Sequence, residues 1–405
     1  MAWYNANWQY RVKITIDNTK VPGNLTDFPV LITEDNIPSA FWGHVKNDGT
    51  DIVITQSDEI TKLKRELVSI DTVGEKLELW TKTDLSGSAD TDIYMYYGYA
   101  GASETNDTDT WDSDFIMVQH MNDDPDTSHT QDSTSNNNDG TKKGTNEPVE
   151  TTGKWVSSKG QEFDGGATAD DRLNCGKQSS INNIDVFTIE VWAKRYSSGE
   201  GGAGRIYDKN DHIFLGSSDP NGKLSFSARR WTTNNGGWQT PSGSISDDAW
   251  YYIVVRYDYG STSNDPTILL NNINQSLTEY NTPSGSVGSD AASDFLIGDE
   301  YYAGRTFDGI MDEFRISDVE RSDDWIETCY NNQNSPSTFY SVGSEEGGST
   351  VFVDVKPTGG SPGIGKKIRD GINNRWLWQT KHATDPDFIT RGYIDSSGFH
   401  DGSPP

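Results

Sequence analysis

Apolar and polar residues alternate strictly near the start of the chain. Between Trp8 and Asp17, every second residue from Tyr10 onwards is apolar, and every second residue from Arg11 onwards is polar. A period of two predicts a β-strand with one face in water. Runs of the same kind predict five more strands, at residues 28–33, 52–55, 63–70, 76–83 and 91–99. Short strands without a long helix predict an antiparallel β-sandwich over residues 1–104.

Further along, the chain stays rich in predicted strands. Residues 187–193 alternate, and β-rich runs at 250–258 and 267–273 lie between turns of Ser, Asn, Asp and Pro. One segment has helical spacing, because Ser322 is a candidate N-cap and the residues up to Asn332 place apolar side chains on one side. We expect two facing sheets, with this helix closing the sandwich.

Four motifs within residues 1–104 are similar to those of a known domain family. They are Trp8-x-Tyr10-Arg11, Phe28-Pro-Val, Gly49-Thr-Asp51-Ile and Asp92-Ile-Tyr-Met-Tyr-Tyr-Gly98. Together they are similar to a widespread domain-of-unknown-function family, whose members often precede laminin-G-like modules. The resemblance implies a fold and a neighbouring domain but no reaction, since a fold by itself does not define a function.

Four further motifs place that neighbour at residues 105–347. They are Asp132-Ser-Thr-Ser-Asn136-Asn-Asn-Asp139-Gly140, Phe163-Asp-Gly165, Phe187-Thr-Ile-Glu-Val-Trp192 and Gly309-Ile-Met-Asp312-Glu-Phe-Arg-Ile316. In content and order they resemble a concanavalin-A-like, laminin-G-type jelly roll. The predicted fold class is therefore all-β, with two antiparallel β-sandwich (jelly-roll-like) domains plus an extended C-terminal arm.

The arm covers residues 348–405. A Gly- and Pro-rich linker from Pro357 to Gly363 accompanies strand-like segments at 351–355, 375–380 and 388–394. Isolated strands are marginal in water, so we expect these segments to need another surface. Apolar side chains of these segments are the predicted subunit contacts: Val351, Val353, Val355, Trp376, Trp378, Phe388 and Tyr393.

Charge narrows the choice of partners. The chain has 33 basic and 62 acidic residues, a net charge of −29. Such a field repels nucleic-acid phosphates and anionic lipid surfaces, so neither nucleic acid nor a membrane is an expected partner. The arm is the exception, with seven Lys or Arg against six Asp. Its basic residues would ease the repulsion between acidic bodies in contact.

The sequence contains no evident catalytic constellation. Glycoside hydrolysis needs two carboxylates flanking the bond, and the nearest acidic pair, Asp312 and Glu313, is expected to point to opposite faces of a strand. The histidines are scattered without zinc-type spacing. The loop from Gly360 to Lys366 lacks the Ser or Thr that a phosphate loop places after its Lys. We therefore predict a protein without enzymatic activity.

Calcium is the cofactor that the resemblance suggests. Laminin-G-like modules commonly bind this ion, and the matching positions are Asp132, Asn138 and Asp312. Oxygen-rich loops suit Ca²⁺, which prefers six to eight oxygen ligands. The alternative is that this Asn- and Asp-rich loop is a solvated turn.

Carbohydrate is the second candidate ligand. Trp231, Trp238, Tyr301 and Tyr302 lie in predicted polar loops, where aromatic rings are not needed for a strand core. Such rings could stack on sugars. The alternative for the two tryptophans is that they cover the edge of the sandwich or lie in a subunit interface.

Three smaller features bear on location and modification. Cys175 and Cys329 are favoured as separate buried thiols over a single bridge. Asn24, Asn106 and Asn274 begin sequons for possible glycosylation. The first residues lack the apolar stretch of a secretory signal, so we expect a chain that reaches the outside by another route.

These observations lead to one main hypothesis. The chain is predicted to be a structural or assembly protein of an extracellular fibre or virus-type surface appendage, whose arm docks on a second copy, for instance by adding a strand to a sheet edge. The alternative is a secreted or surface glycan-binding adhesin. A glycoside hydrolase is the third and least favoured class.

Overall fold

A computed structural model of the chain describes residues 3–143, 147–166, 171–210, 212–217, 221–302 and 304–348, and the backbone of four strands between residues 363 and 401. Strands dominate, and they form several antiparallel sheets. The predicted all-β fold class is therefore confirmed. None of the helices in the described part of the chain has the length and apolar character that crossing a bilayer requires.

The first unit contains all six strands predicted for it. Their bounds are β1 Tyr10–Ile16, β2 Leu25–Thr33, β3 Val53–Gln56, β4 Arg65–Asp71, β5 Lys76–Leu85 and β6 Thr91–Tyr97, with helix α1 at Ser39–His44. Strands β2, β5 and β4 form one sheet, and β1, β6 and β3 belong to another. The carboxylate of Asp71 accepts hydrogen bonds from the backbone N–H groups of Val73 and Gly74, which closes the β4–β5 turn.

The middle of the chain forms two larger sheets that face each other. The bounds are β7 Phe115–Gln119, β8 His129–Thr130, β9 Gly140–Lys143, β10 Val149–Thr152, β11 Lys159–Phe163, β12 Arg172–Asn174, β13 Val186–Arg195, β14 Arg205–Asp208, β15 Ile213–Ser217, β16 Leu224–Ala228, β17 Gly236–Gln239, β18 Trp250–Asp258, β19 Thr267–Leu270, β20 Ile273–Asn274, β21 Thr278–Asn281, β22 Leu296–Ile297 and β23 Gly309–Ser317. The eight-stranded sheet runs β10-β11-β23-β13-β18-β19-β20, with β7 also on β23. The nine-stranded sheet runs β21-β17-β16-β15-β14-β22-β12-β9-β8.

The chain then returns to the first unit. The elements are α2 Asp323–Asn334, α3 Pro336–Phe339, β24 Tyr340–Val342 and β25 Glu346–Gly347. Ser322 caps α2 as predicted, accepting a hydrogen bond from the N–H of Trp325. Near the end of α2, Asn332 bonds both the N–H and the C=O of Leu31 on β2. Strands β24 and β25 pair with β1, so residues 340–347 extend a sheet of the first unit.

The two larger hydrophobic cores of the described residues lie on opposite sides of the eight-stranded sheet. One lies between the two large sheets and includes Phe187 and Phe226. The other is shared by the first unit, the eight-stranded sheet and α2, and it contains Trp80, Trp192 and Trp325. The first unit therefore packs on the outer side of the eight-stranded sheet.

The prediction of a wet face on β1 is wrong at Arg11. Its side chain is only 1% exposed, because the rings of Trp3, Tyr94 and Tyr96 cover its guanidinium group. The charge is paired with Glu59 at 2.9 Å and with a second glutamate on β25 at 2.7 Å. Aromatic residues thus bury this face of β1 at Arg11, while Lys13 and Thr15 on the same face stay partly exposed.

The described strands of the arm pair with one another. They are β26 Gly363–Asp370, β27 Arg375–His382, β28 Ile389–Asp395 and β29 Gly398–Asp401, in an antiparallel sheet of that order. The linker prediction is wrong from Gly363 onwards, where β26 begins. Of the predicted contact residues, Trp376, Trp378 and Tyr393 lie on β27 and β28. The others, Val351, Val353, Val355 and Phe388, lie outside the described residues.

The smaller predictions have clear outcomes. Cys175 and Cys329 are free and buried, as predicted. Asn24, Asn106 and Asn274 are all exposed. The Asn106 amide already bonds the backbone of Leu67 at 2.8 and 3.0 Å. Glycosylation of the three remains a prediction.

Candidate functional site

A buried ionic cluster lies where the first unit meets the eight-stranded sheet. His120 Nδ1 is 2.6 Å from a carboxylate oxygen of Glu313 and 3.8 Å from one of Glu78. Its Nε2 is 3.4 Å from Glu66. Arg315 pairs with the other oxygen of Glu313 and stacks over Trp80 at 4.4 Å. Side chains from β4, β5 and β23 thus meet the residue that follows β7 in one largely buried network.

The charges in this network support one another. Burial alone would lower the pKa of His120, but the charges of Glu313 and Glu66 raise it well above its ordinary value. Burial opposes ionisation of Glu313, yet His120 and Arg315 bring its pKa down to about 2. Burial and then the charge of Glu313 raise the pKa of Glu78 well above the ordinary range. The cluster is therefore an imidazolium and a guanidinium held by carboxylates, with the proton kept on Glu78.

The same group has the geometry of a metal site, because Glu78, His120 and Glu313 place their ligand atoms within 4.8 Å of one another. Nitrogen and carboxylate oxygen are suitable donors for Zn²⁺. However, Nδ1 of His120 bonds Glu313 directly, and the Arg315 guanidinium already supplies a positive charge there. We interpret the cluster as an ion network that ties the two units together. The sequence did not predict this network, because His120 and its glutamate partners lie far apart along the chain.

The predicted calcium ligands fall into two separate groups. The carboxylate of Asp132 accepts bonds from the N–H groups of Val118, Thr134 and Asn138. Asp312 instead accepts from the N–H of Lys154 and the hydroxyl of Ser158. Asp132 therefore organises its own loop, but Asp132 and Asn138 are at most 3% exposed, so the solvated-turn alternative does not describe them. Calcium binding remains a prediction.

Asp312 and Glu313 do not point to opposite faces, and that expectation is wrong. Glu313 has a positive φ of 51° at a β-bulge in the β13–β23 pairing. The extra residue re-aims the side chain, so both carboxylates lie on the outer side of the eight-stranded sheet. They are at most 1% exposed: the turn at Lys154 and Ser158 covers Asp312, and His120 with Glu78 of the first unit faces Glu313. Burial and then the charge of Glu313 raise the pKa of Asp312 to about 7.

The outer side of the nine-stranded sheet is very different. Its side chains follow from the register, in which Phe214 pairs with Ser227 and Gly216 with Ser225. We call this surface the serine–glycine face, and its members occupy three adjacent strands: Phe214 and Gly216 on β15, Ser225 and Ser227 on β16, and Gly237 and Gln239 on β17. Alternate residues of the same strands, such as Leu215 and Phe226, fill the core.

Tyr280 lies across this face. Its hydroxyl is 3.0 Å from Ser225 Oγ, and its ring atoms would be 2.5 Å from a Cβ at Gly237. Only glycine therefore allows the ring to rest there. The ring is 51% exposed. An exposed aromatic side chain is thus fixed in place by a hydrogen bond and by a glycine floor.

Phe214 holds two arginines at the other end of the face. The guanidinium of Arg205 lies 3.6 Å from the ring centroid, and that of Arg229 lies 4.7 Å from it. Nε of Arg229 donates to Ser227 Oγ at 3.1 Å. Carboxylates of Asp208 and Glu300 lie 3.3 and 3.8 Å from Arg205.

The loop after β22 borders these arginines. Asp299 fixes it by accepting from the N–H of Arg305 at 2.9 Å, and the C=O of Arg305 accepts from the N–H of Arg205. Tyr301 and Tyr302 in this loop are 50% and 75% exposed. Their predicted exposure is confirmed, and their role in binding stays a prediction.

The expectation that Trp231 and Trp238 lie exposed in loops is wrong. They are 6% and 1% exposed. The indole N–H of Trp231 donates to the hydroxyl of Tyr257, and that of Trp238 donates to Asp265. The side chain of Trp238 on β17 packs into the core, while the Tyr280 ring lies against the neighbouring Gly237 on the outer side of the sheet. The one sequence signal for Tyr280 was the pair of glycines before Trp238.

A family model covers part of the chain. Residues 164–327 match the model described as the concanavalin A-like lectin/glucanases superfamily. With the facing antiparallel sheets, this match confirms the predicted jelly roll for that segment. No curated protein matches the chain. The predicted relationship of residues 1–104 to a domain-of-unknown-function family stays a prediction.

Several solved structures are similar to the chain. Domain 4 of AbnA, a GH43 extracellular arabinanase from Geobacillus stearothermophilus, is 16% identical, with 54% of this chain and 98% of that chain covered and a TM-score of 0.35. The binding domain of Paraclostridial Mosquitocidal Protein 1 is 12% identical, with 68% and 67% covered and a TM-score of 0.41. The CBM40 of a Ruminococcus gnavus IT-sialidase is 10% identical, with 36% and 83% covered and a TM-score of 0.29. The match of residues 164–327 to the concanavalin A-like superfamily model covers less than half of the 405-residue chain.

Proposed function

We propose that this chain binds carbohydrate through the serine–glycine face and has no enzymatic activity of its own. The observation that carries the proposal is the Tyr280 ring, half exposed and held over Gly237. Sugars present flat apolar C–H faces, and a fixed ring offers a stacking surface at little entropic cost.

The rest of the face supplies polar groups next to that ring. Ser225 and Ser227 are at most 6% exposed, and their hydroxyls bond the Tyr280 hydroxyl and the Arg229 guanidinium. The polar groups nearer the surface are the Tyr280 hydroxyl itself and the half-buried amide of Gln239, beside Ser225 on the adjacent strand. Hydroxyls and amides can both donate and accept hydrogen bonds, which suits sugar hydroxyls. An apolar platform with a few fixed polar groups is the general pattern of a small-ligand site.

The proposal that the chain is not an enzyme is supported by the opposite sheet. The buried carboxylates that could act as an acid–base pair, Asp312 and Glu313, lie under the first unit. A polysaccharide has no route to them without separation of the shared core. A carbohydrate-binding role would place the chain outside the cell or on a virion surface, where glycans are accessible.

The fibre hypothesis rested on tail strands that lack partners. In the described part of the arm, the strands pair with one another, and β26 and β29 are the edge strands of the resulting sheet. Assembly through the arm stays a prediction. It is tested by removing residues 349–405 and measuring the oligomeric state by light scattering, where loss of polymers would support it.

Binding to a glycan array, followed by titration calorimetry with the best oligosaccharide, tests the proposed function. We expect Tyr280→Ala to weaken binding at least tenfold, on the order of 1.4 kcal/mol. Ile273→Ala is the matched control, since this side chain is 66% exposed on the other sheet. Equal loss in both variants, or no glycan bound by the unmodified protein, would overturn the proposal.

A further inference from the structure

A cleft opens where the first unit, the turn after β10 and the α2–α3 corner meet. We call it the corner cleft, and its walls are residues 33–35, 154–156 and 333–337. The free space between these walls, open solvent included, is about 540 Å³, which is enough for a small organic ligand. Because Gln333 bonds Trp192 on the outer side of the eight-stranded sheet, the corner cleft lies away from the serine–glycine face.

The indole ring of Trp192 positions two nitrogen donors of the corner cleft. Its N–H donates to Oε1 of Gln333 at 2.7 Å. The other end of that amide, Nε2, therefore points away from the indole, and it bonds no group among the described residues although Gln333 is only 2% exposed. The ammonium group of Lys154 lies 4.4 Å from the centroid of the same indole ring. One ring thus fixes an amide donor and a cation beside each other.

The ammonium group of Lys154 has spare donors. Its Nζ donates to Oδ1 of Asn334 at 3.3 Å, and no carboxylate in the described part of the chain lies within 4.0 Å of it. An ammonium group has three N–H donors, so two of them have no protein acceptor there. Burial lowers the pKa of Lys154, and the charge of Asp312 opposes that change only in part. A bound anion would stabilise the charged form of Lys154.

A third nitrogen donor belongs to the same wall. The indole N–H of Trp155 is buried and has no acceptor among the described residues. Buried polar groups in proteins are normally hydrogen-bonded, and leaving one unpaired costs about 1–3 kcal/mol. Three donors without acceptors in one cleft favour a ligand that supplies oxygen acceptors.

Two acidic residues in the wall of the first unit oppose a bound anion. Glu34 is already engaged, because it accepts from the N–H of Leu77 and lies 3.6 Å from Lys76. Asp35 is partly exposed, so water and salt screen its charge. Gln333 is more deeply buried and its interactions are screened less. The donors therefore decide the chemistry of the corner cleft, and Asp35 weakens it.

We propose that the corner cleft binds a small organic acid, whose carboxylate accepts hydrogen bonds from Lys154 and from Nε2 of Gln333. Charge-assisted bonds of this kind are short and strong. The donors include one cation, so a single negative charge matches them better than a doubly charged phosphate does. The proposal is independent of the carbohydrate function, because it uses no residue of the serine–glycine face.

Ligand-observed NMR titrations of the full chain test the proposal. Acetate, lactate and succinate are compared with acetamide, lactamide and succinamide at neutral pH. We expect at least one acid to bind roughly tenfold more tightly than its amide. Lys154→Gln should remove that difference. Asp35→Asn should tighten binding of the acid by roughly twofold, because it removes a screened repulsion.

Gln333→Glu is the second variant. It keeps an oxygen for the Trp192 indole but replaces the Nε2 donor with another acceptor, so it should also remove the preference for the acid. Lys159→Gln is the matched control, because this exposed lysine pairs with Glu150 outside the corner cleft. It should leave the affinity for the acid unchanged.

The outcomes separate this proposal from the carbohydrate function. Acids that bind no more tightly than their amides would overturn it, and so would a preference that survives in both Lys154→Gln and Gln333→Glu. Glycan binding would stand in either case. Equal losses in Lys159→Gln would show a nonspecific charge effect and would also overturn the proposal. Circular dichroism and melting temperatures show whether each variant is folded.

Discussion

The jelly roll has two outer faces with opposite properties. The outer side of the eight-stranded sheet carries large and charged side chains, such as Trp192 and Arg315, and the first unit covers it. The serine–glycine face carries small side chains, and its large ring, Tyr280, lies half exposed on top. Both faces bury charged groups, but only the eight-stranded sheet buries them under a second unit, while the serine–glycine face holds a fixed, half-exposed ring.

The largest expected effect is on the covered face. Arg315→Met leaves Glu313 buried without its guanidinium partner, so we expect a loss of about 3–5 kcal/mol in the free energy of unfolding. Urea unfolding followed by Trp fluorescence measures it. Lys13→Met removes a half-exposed ion pair with Asp92 and should cost at most about 1 kcal/mol. Similar losses in both variants would contradict a structural role for the network.

The second effect is a dependence on pH at the same face. The pKa of Asp312 rises to about 7 in the folded protein, from an ordinary value of 3.8. The folded state therefore holds this proton more tightly than the unfolded chain does. The resulting stability is complete below about pH 4 and is lost as the pH rises through 7.

Asp312→Asn isolates this contribution. Between pH 5 and 8 the unmodified protein should lose about 2–3 kcal/mol more than the variant does. The pKa of Glu313, about 2, lies below this window, so Glu313 stays ionised throughout. Parallel stability curves for the two proteins would show that Asp312 is already ionised in the folded state.

The third effect concerns the serine–glycine face. Gly237→Ala places a Cβ 2.5 Å from the ring of Tyr280, so the ring must move. We expect glycan affinity to fall about tenfold, or 1.4 kcal/mol, without any change to the ring itself. Gly43→Ala is the control, because its Cβ meets no atom within 4 Å. If Gly237→Ala binds glycan with unchanged affinity, glycan binding does not depend on the position of the Tyr280 ring.

The smallest effect is on helix α2, which packs in the core shared by the first unit and the eight-stranded sheet. Ser322→Ala removes the N-cap of α2 and should cost about 1 kcal/mol in stability. Glycan affinity should stay the same, since α2 packs on the covered side. Ser322→Asp retains a cap and should restore most of the loss, as a thermal melt would show.

Local pattern predicted the strands and the α2 cap because both depend on neighbouring residues. All six strands of the first unit and the cap at Ser322 follow from alternation and from helix-start chemistry. The buried state of Arg11 could not be predicted, since its partners Glu59 and Glu346 come from distant parts of the chain. Alternation along a strand predicts which face of the sheet a side chain lies on. Whether that face is exposed to solvent depends on which other strands or helices pack against it.

The candidate site was predicted only in part for the same reason. Tyr301 and Tyr302 are exposed as expected, while Trp238 is in the core because β17 turns it inward. Tyr280 was missed, because its position depends on Gly237, which lies 43 residues earlier in the sequence, and on Ser225, two strands away in the sheet. The orientation of Glu313 depends on a bulge that alternation does not reveal.

The pairing of β24 and β25 with β1 has a consequence for synthesis on the ribosome. Arg11 meets Glu346 at 2.7 Å, although 335 positions separate them. The first sheet cannot acquire its last strands until nearly the whole jelly roll has been translated. Contacts of such long range slow folding and expose intermediates. We expect nascent chains shorter than about residue 350 to bind chaperones and to become protease-resistant only when this closing segment emerges.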